Sequence, residues 1–97
     1  MTRRVSAIVN PVSGRRNMLP VVRAIGHILE REGWTLDVLL TDRAGHAIEL
    51  AREVPDDTHA VLAVGGDGTV CEVINGLYPR NIPLVILRTG TENLLAR

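Results

Sequence analysis

Ala60-Val61-Leu62-Ala63-Val64-Gly65-Gly66-Asp67-Gly68-Thr69-Val70-Cys71-Glu72-Val73-Ile74-Asn75-Gly76-Leu77 is the stretch that decides the fold. Its apolar opening, Ala60 to Val64, is short and rich in β-branched residues, the pattern of a strand buried on both faces. Its close puts Val70, Val73, Ile74 and Leu77 at helical spacing. The glycines therefore lie between a strand and a helix. Without a Cβ, glycine lets backbone N–H groups approach an anion, and the helix N-terminus adds partial positive charge at the same place. A nucleotide phosphate fits such a turn. Two plainer readings compete: glycines that serve only a positive-φ turn, and an Asp67 that only caps the helix. A carboxylate among glycines at an anion site has further uses, holding magnesium, a water or a hydroxyl beside the phosphates.

Outward from this unit the same periodicities recur. A first strand is predicted over Arg4 to Val9, ended by Asn10-Pro11, and a helix over Leu19 to Glu32, striped by Val22, Ile25, Ile28 and Leu29 and stopped at Gly33. Trp34 to Leu40 reads as the second strand, and Thr41-Asp42 opens a turn into a short helix marked by Ala47, Ile48, Leu50 and Ala51. Pro83 to Leu87 reads as a fourth strand, followed by Thr89-Gly90-Thr91 and the start of a helix over Glu92 to Arg97. Strands and helices alternating through short connections demand parallel strands and right-handed crossovers. The fold class is thus α/β, a doubly wound parallel sheet with helices on both faces. In such sheets ligands bind beyond the strand carboxyl ends, so the loops Asn10 to Gly14, Gly65 to Thr69 and Thr89 to Thr91 are expected at one edge.

Composition narrows the function. The 97 residues allow one domain with a modest core, and eleven basic residues balance eleven acidic ones. Trp34 and Tyr78 are the only aromatics, so neither a charged track nor a stacking platform for nucleic acid is visible. A single cysteine, Cys71, and no long apolar run point to a reducing, cytoplasmic setting. Cys71 stands near a helix N-terminus that can activate a thiol, but a small helix residue without chemistry is the favoured reading. His27, His46 and His59 lack metal-ligand spacing and read as solvated or capping residues. A dinucleotide fingerprint would need glycine where Cys71 stands and would occupy the first βα turn, and a Walker A loop would need Gly-Lys-Ser/Thr.

Taken together, Asn10-Pro11-Val12-Ser13-Gly14, Gly65 to Thr69 with Glu72 to Leu77, and Gly90 to Arg97 resemble the diacylglycerol kinase catalytic-domain family, which includes bacterial lipid kinases and sphingosine kinases. The family's Asn-Pro-x-Ser-Gly, GGDGT and Gly-Thr-x-Asn segments occur here in order and span nearly the whole chain. GGDG alone is shared with NAD kinases and phosphofructokinases. The resemblance implies the fold of the NAD kinase and diacylglycerol kinase N-terminal domain, with magnesium ATP as phosphoryl donor and a lipid hydroxyl as acceptor. It also implies nucleotide contacts at Asn10, Pro11, Val12, Ser13, Gly14, Thr41, Gly66, Asp67, Gly68, Thr69, Val70, Cys71, Glu72 and Thr91, with Asp67 in the catalytic role. A lipid acceptor implies peripheral contact at the inner membrane.

Three positions depart from the family pattern. Arg88 stands where proline is usual and is read as reaching toward the phosphates, Cys71 replaces a frequent asparagine, and Leu94 replaces the aspartate of Gly-Thr-x-Asn-Asp. Members of the family continue into a second, mostly β domain that implies the acceptor pocket and the catalytic base. Residues 1–97 are accordingly expected to be the N-terminal nucleotide-binding domain, incomplete at the C-terminal end, inactive alone and inclined to self-associate into a homo-oligomer. Two alternatives stand beside this reading: a non-catalytic nucleotide-binding module, and an NAD kinase-like enzyme, against which the Asn-Pro-x-Ser-Gly opening argues.

Overall fold

Four parallel strands form one sheet in this computed structural model, which describes residues 3–11 and 17–88. The elements are β1 (Arg3–Val9), α1 (Leu19–Arg31), β2 (Trp34–Leu40), α2 (His46–Glu53), β3 (Ala60–Gly65), α3 (Asp67–Leu77) and β4 (Leu84–Arg88). Strand order is β2-β1-β3-β4. The chain steps from β1 to β2 on one side, then crosses back over β1 to β3, so the carboxyl ends of β1 and β3 flank the point where the winding reverses.

The apolar runs explain the layering. Ile8, Val61 and Ala63 point to one face and meet Ala47, Ala51 and Val54 of the α2 region with Val70, Val73 and Leu77 of α3. Ala7, Val9, Leu62 and Val64 point to the other and meet Val22 of α1, with Leu19 and Ile25 packed alongside. Helices thus cover both faces, as a doubly wound sheet requires.

Small residues set the spacing of α2 and α3. A Cβ at Gly76 would lie 2.6 Å from both Ala51 Cβ and the Ile48 carbonyl oxygen, so only glycine permits this approach. Beyond α3, the Arg80 guanidinium reaches back to the end of α2 and donates to the carbonyls of Ala51 (2.5 Å), Val54 (2.7 Å) and Arg52 (3.3 Å). It also donates to Asp56 Oδ1 at 3.1 Å. Its positive charge complements the negative end of the α2 dipole.

Two boundaries differ from the sequence expectation in ways that matter to the turn. Helix α3 begins at Asp67, so Asp67, Gly68 and Thr69 are its first turn rather than a loop before it. No apolar residue marks that turn, which is why the hydrophobic period begins only at Val70. Strand β4 runs on to Arg88, paired with Gly65. Val12, Ser13, Gly14, Thr89, Gly90, Thr91 and the helix expected over Glu92 to Arg97 lie outside the described residues.

Candidate functional site

Two backbone hydrogen bonds carry the sheet ladder one residue past its strands: Asn10 N–H donates to the Val64 carbonyl and Thr41 N–H to the Val9 carbonyl, both at 2.9 Å. Asn10 and Thr41 are therefore fixed at the carboxyl edge, beside the strand that feeds α3. Between them opens a cleft of about 690 Å³, lined by Asn10, Pro11, Thr41, Asp42, Arg43, Ala44, Ala47, Gly66, Gly68, Thr69 and Glu72. That volume falls in the range of small-molecule sites.

The glycines of the turn serve different needs. Among the described residues, the glycines at positive φ are Gly33 and Gly45. Left-handed backbone is thus not the reason for Gly65, Gly66 or Gly68, and the plain positive-φ turn does not account for them. A Cβ on Gly65 would lie 2.8 Å from Thr69 Cβ and Oγ1, a packing demand. A Cβ on Gly68 would meet nothing within 4 Å and would enter open space at the cleft. Gly66 is the N-cap of α3, with no side-chain capping hydrogen bond, and Asp67 follows inside the helix. The first rung of α3 is Val70 N–H to the Gly66 carbonyl, 3.1 Å, so the amides of Asp67, Gly68 and Thr69 precede the helical ladder.

Side chains tie the rim together. Asn10 Nδ2 donates to Thr69 Oγ1 at 3.4 Å, and Gly45 N–H donates to Glu72 Oε2 at 3.2 Å, linking α3 to the entry of α2. Arg43 donates to Asp42 Oδ1 and Glu49 Oε2, each at 2.7 Å. The Asp42 hydrogen bond, and then the Glu49 charge, raise the pKa of this exposed guanidinium above its ordinary value.

A family model described as diacylglycerol kinase catalytic domain matches residues 4–97. The chain belongs to the diacylglycerol kinase catalytic-domain family. It is 34% identical to a diacylglycerol kinase of Staphylococcus carnosus over 103 residues, covering 100% of this chain and 33% of that protein. It is 36% identical to sphingoid long-chain bases kinase 1 of Arabidopsis thaliana over 98 residues, covering 91% of this chain and 13% of the relative. A crystal structure of a diacylglycerol kinase from Bacillus anthracis superposes with a TM-score of 0.71 at 33% identity, covering 92% of this chain and 34% of that one. The chain thus spans about a third of the length of these bacterial kinases.

In this diacylglycerol kinase-family chain, seven of the sequence-predicted site residues meet at the cleft: Asn10, Pro11, Thr41, Gly66, Gly68, Thr69 and Glu72. Three others are placed differently. The Val70 side chain is buried in the core with Val73 and Leu77, leaving only its backbone for a ligand. Cys71 is exposed and free, apart from the cleft lining. Asp67 lies on the β4 side of α3, where its Oδ1 accepts from Arg88 Nη1. Asp67 is therefore not a side-chain cap of α3, and Arg88 is held at the carboxylate. Asp42, Arg43, Ala44 and Ala47 join the lining without having been singled out, although they follow a strand carboxyl end as the other loops do.

No group of three His, Cys, Asp or Glu able to hold a metal occurs among the described residues. His46 Nδ1 accepts from Asp42 N–H at 3.0 Å, and His59 packs edge-on to Trp34 with ring centroids 5.2 Å apart. Asp67, paired with Arg88, stands at the turn, and Asp42 and Glu72 line the adjoining cleft.

Proposed function

We propose that this chain is the nucleotide-binding part of a lipid kinase that transfers the γ-phosphoryl group of ATP to a lipid hydroxyl. The observation that carries this reading is Gly68: neither backbone conformation nor packing requires glycine there, yet it opens the cleft beside the first-turn amides of α3, which precede the helical ladder. In the proposed pose, phosphates approach the amides of Asp67, Gly68 and Thr69. The Thr69 hydroxyl, already facing Asn10, donates to a phosphate oxygen. Asn10, Thr41 and Glu72 orient the rest of the nucleotide from the cleft wall. Ser13 and Thr91 belong to the same proposed contact set by family resemblance.

Transfer forms a bond from the acceptor oxygen to the γ-phosphorus as the bond to the β–γ bridging oxygen breaks, releasing ADP. Catalysis of this kind rests on positioning and charge stabilisation. Asp67 is proposed to orient the acceptor end, and the base that takes the hydroxyl proton is assigned to none of the described residues. The names of the relatives support diacylglycerol or a sphingoid base as the acceptor class. No described helix is long and apolar enough to cross a membrane. A cytoplasmic protein meeting its lipid at the inner membrane face is part of the same proposal.

Calorimetric titration of ATP into the full chain, beside Gly68→Val, tests the reading. Binding by the parent and its loss in a folded Gly68→Val are expected. Equal affinity in the two proteins would remove the phosphate-turn assignment.

A further inference from the structure

Arg88 is the last residue of β4, paired in register with Gly65, so the strand end places its guanidinium beside the turn that β3 feeds. Nη1 donates to Oδ1 of Asp67, the first residue of α3. The side chains of the pair are 46% and 81% exposed. An ion pair this open is weak and exchanges readily.

The surroundings give the pair a use. Asp67 puts a negative charge next to amides that would otherwise attract an anion. A nucleotide polyphosphate would meet that carboxylate as a like charge unless a cation intervened. Arg88 is such a cation at the end of β4, and its guanidinium fork can pair with phosphate oxygens as well as with a carboxylate.

Resting on the nucleotide-binding reading above, we propose that Arg88 is a phosphate-positioning residue. It neutralises Asp67 in the ligand-free chain and turns its donors to the terminal phosphates on binding, so that nucleotide affinity depends less on divalent metal than it would without it.

ATP titrations into the full chain, once with excess magnesium and once with excess chelator, measure the metal dependence of binding directly. Chelation is expected to weaken ATP binding about tenfold more in Arg88→Gln than in the parent, the scale of one lost charge-assisted contact. Arg88→Lys, which keeps the charge at the same strand end, should recover most of the chelator-resistant binding. Asp67→Asn should bind metal-free ATP more tightly than the parent, because the like charge of the Asp67 carboxylate beside the phosphates is removed. An identical metal dependence in parent and Arg88→Gln overturns the role of Arg88 while leaving the nucleotide site standing. Failure of the parent to bind ATP in either buffer overturns the site and this inference with it.

Discussion

Gly65 and Gly68 are three residues apart in one turn, and the structure assigns them opposite sensitivities. A methyl group on Gly65 would sit 2.8 Å from two atoms of the Thr69 side chain, which is itself buried against the end of the sheet. Relieving that contact means moving Thr69 or the start of α3, an overpacking cost of about 1–3 kcal/mol. For a domain of this size, about 2 kcal/mol lowers the melting temperature by roughly 8–16 °C. The same methyl on Gly68 meets nothing within 4 Å and sits in the first turn of α3, where alanine, with less backbone freedom to lose than glycine, carries no penalty. Gly68→Ala should therefore melt at or above the parent temperature and yet bind ATP at least about tenfold more weakly, a loss on the scale of 1.4 kcal/mol from an obstructed phosphate. Thermal unfolding by circular dichroism and ATP titration on both variants separate the effects. A destabilised Gly68→Ala, or one that keeps parental affinity, would show that this glycine serves the fold, and the case for the cleft as a phosphate site would lose its main support.

Two further substitutions test the frame that carries the cleft. Arg80→Met keeps the aliphatic stem but strips three carbonyls at the α2 C-terminus, those of Ala51, Arg52 and the C-cap Val54, of a charged donor, and should cost about 2–3 kcal/mol in chemical denaturation, with an unchanged midpoint refuting the capping role. Gly76→Ala should cost at least about 2 kcal/mol despite its better helix propensity, and adding Ala51→Gly should restore only part of it, because the Ile48 carbonyl remains 2.6 Å from the new methyl; full rescue would mean that the helices can separate freely.

Hydrophobic period made the layering legible in advance: the runs of β1 and β3 are too uniformly apolar for a one-sided sheet, and they prove buried on both faces. It could not mark the start of α3, because Asp67, Gly68 and Thr69 carry no apolar stripe. It did place Val70 on the apolar stripe with Val73 and Leu77, and the structure buries it there, although the family resemblance also counts it among the nucleotide contacts. Helical geometry turns the Val70 side chain into the core while the residues on either side of it in the sequence remain near the surface or the cleft. The Arg80 cap and the link from Gly45 to Glu72 were illegible for a different reason, since they join residues 26 to 29 positions apart that meet only once α2 and α3 have packed. Asp42, Arg43 and Ala44 were within reach of the topological rule applied to the loop after β2, had it been applied there as it was to the other loops.

The first two turns of α3 sort the motif into two directions. At about 100° per residue, Gly68, Thr69 and Glu72 fall within one arc of the helix and Asp67 falls well outside it. The structure follows this geometry, with the first three on the cleft and Asp67 against Arg88 at the end of β4. On the proposed reading, a nucleotide lying in the cleft has its phosphates passing over the helix N-terminus, so the terminal phosphate emerges on the Asp67 side. The carboxylate then stands where the acceptor must arrive, not where the nucleotide is held. A helix that begins at Asp67 rather than after Thr69 is what makes this division possible, because in an irregular loop the spacing of these residues would fix no direction at all.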